Sequence, residues 1–225
     1  MAAKPDVLTE CCDESPAERL ADAVIHALGV SLSIVAVAVL FGFVIRASDP
    51  LTLTAALVYG AGMIAMFSFS ASYNLAGDEK WDGRWKDWLR RCDHSAIFLM
   101  IAGTYTPFAL VSIGGTTGHP LLALVWTVAL AGLVLKLGWP HRLKRLSVAL
   151  YLALGWSGVV AAGSIVAALP MAALALLAAG GILYSVGVIF HLWKSLQFQN
   201  AIWHAFVLVA AACHYLAVFE SLVLA

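Results

Sequence analysis

The sequence predicts an all-α polytopic membrane protein with seven transmembrane helices. Three observations carry this: an apolar composition, seven apolar stretches of bilayer length, and a one-sided distribution of positive charge. Of 225 residues, 62% are hydrophobic and 12% charged, and the mean hydropathy is +0.91. Soluble domains carry about 25% charged residues, so a water-soluble globule, a disordered chain and a disulfide-stapled secreted domain are all excluded. The formal net charge is zero, and 13 dispersed basic residues do not make a nucleic-acid-binding surface.

A hydrocarbon core about 30 Å thick needs roughly 20 apolar residues in a helix rising 1.5 Å per residue. Stretches of that length run approximately over 24–45, 52–74, 93–114, 120–138, 146–168, 170–192 and 201–224. Pro50, Pro120 and Pro170 stand at the entrances of the second, fourth and sixth spans, and Pro140 follows the fourth. A helix start has no use for the missing N–H, so these prolines punctuate. Pro107 lies inside span three and predicts a kink or a local loss of helical bonding there. Leu169-Pro170 alone separates spans five and six.

Orientation follows the positive charges. With the amino terminus inside, the inner segments hold Lys4, Arg19, Lys80, Arg84, Lys86, Arg90, Arg91, Lys136, Arg142, Lys144, Arg145 and Lys194, and the outer side keeps Arg46. The expected arrangement is therefore amino terminus cytoplasmic and carboxyl terminus outside, in the inner (plasma) membrane. Residues 1–22 read as an acidic cytoplasmic tail (Asp6, Glu10, Asp13, Glu14, Glu18, Asp22) and 23–225 as the seven-transmembrane domain. The tail lacks the basic start and short apolar run of a signal peptide. Cys11, Cys12 and Cys92 fall on the reducing side and Cys213 within a span, where they read as inert thiols.

Polar residues in spans are costly, so they carry the functional information. Ser70 and Asn74 share a face at the inner end of span two. Asp93 and His94 open span three, His191 closes span six, Asn200 and His204 share a face where span seven begins, and His26 lies in the first turn of span one. Residues from five helices thus converge near the cytoplasmic leaflet. Structural roles compete at each position: a helix cap or dipole partner for Asp93 and Asn200, local hydrogen bonding for His26 and His191, and a bond back to a carbonyl for Ser70. His204 and His214 place ring nitrogens within the membrane, where they need partners. Trp81, Trp85, Trp88, Trp139 and Trp193 read as an interfacial belt, and 81–91 as an amphipathic headgroup-contacting segment.

The run Arg91-Cys92-Asp93-His94-Ser95-Ala96-Ile97-Phe98, followed by Ile101-Ala102-Gly103-Thr104-Tyr105-Thr106-Pro107-Phe108, closely resembles the signature of the hemolysin III family, the bacterial branch of the progestin and adipoQ receptor group. Glu18 to Gly29, Gly138-Trp139-Pro140 and Ile202 to His214 fit the same pattern. The resemblance implies seven helices around an intramembrane cavity open toward the cytoplasm. It also implies three histidines that bind zinc, with a neighbouring serine and aspartate completing the site. One histidine would end a Ser-x-x-x-His sequence in span two, and two would form a His-x-x-x-His pair in span seven. Here those stretches read Ser70-Ala71-Ser72-Tyr73-Asn74 and Asn200-Ala201-Ile202-Trp203-His204. Ser70, Asp93 and His204 match, whereas Asn74 and Asn200 replace histidine.

An asparagine carbonyl is a neutral ligand suited to hard ions, while zinc is held by Cys, His, Asp or Glu. The sequence therefore predicts no resident metal at Asn74, Asn200 and His204, and instead a hydrogen-bonded cluster of Ser70, Asn74, Asp93, His94, Asn200 and His204. Three function classes follow from the resemblance. A zinc-dependent hydrolase of lipid amides would use Asp93 and Ser70 as its catalytic candidates. A pore-forming protein is implied by the hemolysin name, although no repeated charged stripe runs along the spans. The expected reading is the third, a membrane protein that binds a membrane lipid or fatty acyl chain in the cavity and senses or maintains the bilayer.

Overall fold

The computed structural model describes residues 15–47, 49–76, 83–138 and 144–224. Lys4, Asp6, Glu10, Cys11, Cys12, Asp13, Glu14, Lys80, Trp81, Trp139, Pro140 and Arg142 lie outside the described residues. Among the described residues eight α-helices follow in chain order: α1 Pro16–Ala47, α2 Pro50–Asn74, α3 Gly83–Pro107, α4 Gly115–Gly138, α5 Lys144–Gly155, α6 Ala162–Ala168, α7 Met171–Leu192 and α8 Gln199–Phe219. Among the described residues seven helical stretches are long and apolar enough to cross a membrane, α5 and α6 together making the fifth. The protein is a multi-pass membrane protein.

The outer surface is what a lipid-facing bundle requires. On α1, Leu28, Leu32, Val35 and Val39 are exposed at helical spacing, an apolar stripe that water would penalise and hydrocarbon does not. The interior is held by close packing, since lipid supplies no hydrophobic drive between helices. Helix α2 lies along α3, α7 along α8, and α1 bridges α2 and α8. The α2–α3 seam depends on Gly62 and Gly103: an added Cβ would stand 3.2 Å from the Leu99 carbonyl and 3.3 Å from that of Val58, respectively. Tyr59, Leu40, Val44 and Val218 centre one buried cluster. Phe98, Val125, Ala129 and Leu154 centre a second, between α3, α4 and α5.

Four helix boundaries differ from the sequence expectation. Helix α1 begins at Pro16 rather than near 24. Ser15 and Glu18 cap it reciprocally, the Ser15 N–H donating to Glu18 Oε2 at 2.8 Å and the Glu18 N–H to Ser15 Oγ at 3.3 Å. Helix α3 begins at Gly83 rather than 93, because the amphipathic basic segment continues without a break into the apolar span; Trp85 and Trp88 on it remain exposed. Helix α4 begins at Gly115, so Pro120 sits in its second turn rather than at its entrance. The turn before it is made by Gly114 and Gly115, both left-handed with φ of 56° and 54°. Span seven begins at Gln199, after Phe198 in the left-handed region (φ 58°), so Asn200 is not its cap.

Two interruptions have identifiable causes. Pro107 has no N–H to give the Gly103 carbonyl, and the chain widens into a π-helical segment over Phe108–Ile113, the local loss of α-bonding that the proline predicts. The fifth span, expected as one helix, is divided by a 3-10 segment at Trp156–Ala161. Here Tyr105 of α3 inserts its hydroxyl, donating to the Gly155 carbonyl and accepting from the Gly158 N–H, both at 2.7 Å. Tyr105→Phe leaves that buried N–H unsatisfied. Thermal unfolding in detergent is expected to report a loss of about 1–3 kcal/mol; an unchanged midpoint would show that the span breaks for another reason.

The Leu169-Pro170 junction separates α6 from α7. Leu169 is extended (φ −106°, ψ 143°), as the residue before a proline prefers. At the α1–α2 turn Asp49 caps α2, accepting from the Leu51 and Thr52 N–H groups and from the Thr52 hydroxyl, and these bonds hold its carboxyl below the usual range.

Candidate functional site

A cavity of about 770 Å³ runs inside the bundle and is lined by residues of all the helices named above, α1 contributing Ile25 and His26. All six residues expected to cluster line it: Ser70, Asn74, Asp93, His94, Asn200 and His204. Asn74 is the last residue of α2, Asn200 the second of α8 and His191 the penultimate residue of α7, whereas Asp93 and His94 lie well inside α3, just beyond its polar first turns. Beyond this polar end the lining is mainly apolar, with Met66, Phe108, Ile165, Leu174, Leu177 and Val207 among its residues and Thr104, Ser185 and His214 as polar exceptions.

The polar end is partly self-satisfied. Asn74 Nδ2 donates to the Ser70 carbonyl at 2.9 Å and lies 3.5 Å from Ser70 Oγ. The Ser70 hydroxyl faces the Asp93 carboxylate, while Ser72 bonds back to the Ser68 carbonyl. Asp93 lies ten residues into α3 and its side chain is 15% exposed, so it is a half-buried cavity carboxylate and not a helix cap. His94 donates from Nδ1 to the Arg90 carbonyl at 2.7 Å, and Nδ1 stands 3.6 Å from Asp93 Oδ2. The Tyr151 hydroxyl donates to the His94 carbonyl at 2.8 Å, tying α5 to this corner. His191 packs against the Trp203 ring at 4.9 Å, and its Nδ1 is buried without a hydrogen-bond partner among the described residues. His214, deeper in the bundle, meets the Leu177 carbonyl at 3.3 Å.

Asp22 is the residue that sequence reasoning placed elsewhere. Grouped with the acidic tail, it instead stands in the second turn of α1, 7% exposed. His204 Nδ1 lies 2.6 Å from its Oδ1 and His26 Nε2 lies 3.3 Å from its Oδ2. The two imidazole rings are 4.3 Å apart between centroids. Glu18, one turn earlier, accepts the Phe198 N–H at 2.8 Å, so α1 is stitched to the start of α8 at two levels. The signal was in the sequence: Ser15-Pro16-Ala17-Glu18 is a capping box with proline at the first helical position, and a helix begun there puts Asp22 and His26 on one face. Asp22, His26 and His204 each offer a donor atom, all within 4.8 Å of one another. They are therefore a possible metal-binding group, although the sequence reading expected no metal.

The haemolysin-III related family profile matches residues 17–215. The chain belongs to this family. It is 40% identical over 201 residues to the Hemolysin-3 homolog of Bacillus subtilis (strain 168), covering 89% of this chain and 92% of that protein. It is 38% identical over 201 residues to Hemolysin-3 of Bacillus cereus, with 89% and 90% covered. A more distant relative is the Monocyte to macrophage differentiation factor of Homo sapiens, 29% identical over 171 residues, with 74% of this chain and 70% of the relative covered. The haemolysin-III match spans both arms of the candidate site, from α1 to α8, so the juxtaposition of Asp22 and His26 with His204 lies wholly within the family's fold.

Proposed function

We propose that this haemolysin-III protein holds the acyl chain of a membrane lipid in its intramembrane cavity, with the lipid's polar end at the Ser70–Asp93–His204 cluster. It does so in the plasma membrane, with the amino terminus in the cytoplasm. The observation that carries the reading is the cavity itself. Its volume of about 770 Å³ falls in the range of about 300–1,000 Å³ usual for small-molecule sites, and its lining is polar at one end and mainly apolar along the rest. That division matches an amphiphile better than an ion or a sugar. Arg90, Arg91, Lys136 and Lys194 contribute to the lining and favour an anionic polar group, such as a carboxylate or phosphate, at the cytoplasmic end. A pore is less well supported, because beyond its polar end the lining is mainly apolar and offers a permeating ion little to replace its water.

Titrating a fluorescent fatty acid into the detergent-solubilised protein tests this. Saturable one-to-one binding is expected. Val207→Trp, which fills the apolar part of the cavity, is expected to weaken it by at least about tenfold, or about 1.4 kcal/mol. Equal binding by the variant and the native chain would place the ligand outside the cavity.

The Asp22–His26–His204 group beside the same cluster supports a second reading, hydrolysis of a lipid amide. Release of free fatty acid from an N-acyl lipid by the purified protein would favour it; binding without turnover would favour the holding role.

A further inference from the structure

We propose that Asp22, His26 and His204 form a binding site for a zinc-class divalent metal, displaced toward α1 from the positions that the family resemblance assigns to zinc. The inference stands apart from the lipid reading, since a metal can bind there with or without an acyl chain in the cavity.

The family positions do not fit zinc in this chain. Two of the three are neutral amides, which would offer only a carbonyl oxygen. A lone imidazole with two amide carbonyls is a poor donor set for a borderline-soft cation. One helix away, a suitable set exists: a carboxylate and two imidazoles, among the ligand types that zinc prefers, with donor atoms inside a 4.8 Å circle. In a tetrahedral site with metal–ligand distances of about 2.1 Å, neighbouring donors stand about 3.4 Å apart. His26 Nε2 and Asp22 Oδ2 are at 3.3 Å, essentially that spacing. His204 Nδ1 and Asp22 Oδ1, at 2.6 Å, have to open by less than about 1 Å, which rotation of one carboxylate or one ring provides.

A second observation points to a ligand rather than to packing. His26 is 3% exposed, and its Nε2 is buried without a hydrogen bond among the described residues, although it faces the Asp22 carboxylate. The carboxylate at 3.3 Å compensates this atom only in part, and buried polar atoms without a hydrogen bond call for an explanation by an ion or water. A metal bridging His26, Asp22 and His204 would satisfy all three. The donor set also suits a dication, since the Asp22 carboxylate stands beside both imidazoles. Three protein donors leave a fourth position for water or for a ligand's polar group.

The test is the zinc content of the full-length chain, purified in detergent without added metal or chelator, by elemental mass spectrometry. Roughly one zinc per chain is expected, falling by about tenfold or more in Asp22→Asn and in His26→Ala and unchanged in Asn74→Ala. Native protein without zinc would overturn the proposal. So would zinc retained in both Asp22→Asn and His26→Ala but lost in His204→Ala, since that would return the metal to the family positions. A readout on the native chain alone guards against misfolded variants. Cobalt(II) added to metal-free protein should give the intense visible bands of a four-coordinate nitrogen and oxygen site, bleached by zinc. The weak spectrum of six-coordinate cobalt would contradict the proposed site.

Discussion

Asp22→Ala is expected to destabilise the protein by about 3 kcal/mol, the usual consequence of leaving buried hydrogen-bonding groups without the carboxylate that partners them. Asp22 is 7% exposed and faces two imidazoles from helices at opposite ends of the sequence. Without it, His26 and His204 would lie 4.3 Å apart in a buried corner with no anion between them, and α1 would keep only Glu18 to bind the start of α8. Asp22→Asn retains the size and one acceptor, so it is expected to lose less. Thermal unfolding in a single detergent, followed by circular dichroism, reads the difference. Equal stability of native and Asp22→Ala protein would mean that the α1–α8 junction owes nothing to this carboxylate.

The second large effect concerns metal affinity. Asn74→His combined with Asn200→His places two imidazoles on the cavity wall with His204, completing the three-histidine set that the resemblance implies. Taking each added imidazole as worth about 1.4 kcal/mol, zinc should bind about 100-fold more tightly than to the native chain. Competition with a chromophoric chelator measures this. An unchanged affinity would show that Asn74 and Asn200, though both cavity residues, do not converge with His204 on a common point.

The spans and the polar end of the cavity were legible in the sequence for physical reasons. Bilayer-length apolar runs leave few alternatives, and Ser70, Asn74, Asp93, His94, Asn200 and His204 all sit near the same end of their spans, so a helical bundle necessarily brings them to one side. What was not legible depends on tertiary partners. Asp22 belongs to an acidic run, and an acidic run reads as solvated; its pairing with His204 spans 182 residues, beyond the reach of any local pattern. The capping box at Ser15 could have corrected the start of α1. Nothing near Gly155 announces that the Tyr105 hydroxyl, fifty residues away, will break the fifth span. The start of α3 was obscured for the opposite reason: Arg84 to Arg91 is too polar to count as span, yet it is helical.

The lipid-holding account is tested most directly by native mass spectrometry of the full-length chain released from a mild detergent. The account predicts a bound mass corresponding to one membrane lipid or fatty acid per chain, diminished in Val207→Trp. A chain that flies at its bare polypeptide mass, with or without metal, and gains no acyl ligand when one is supplied would contradict it.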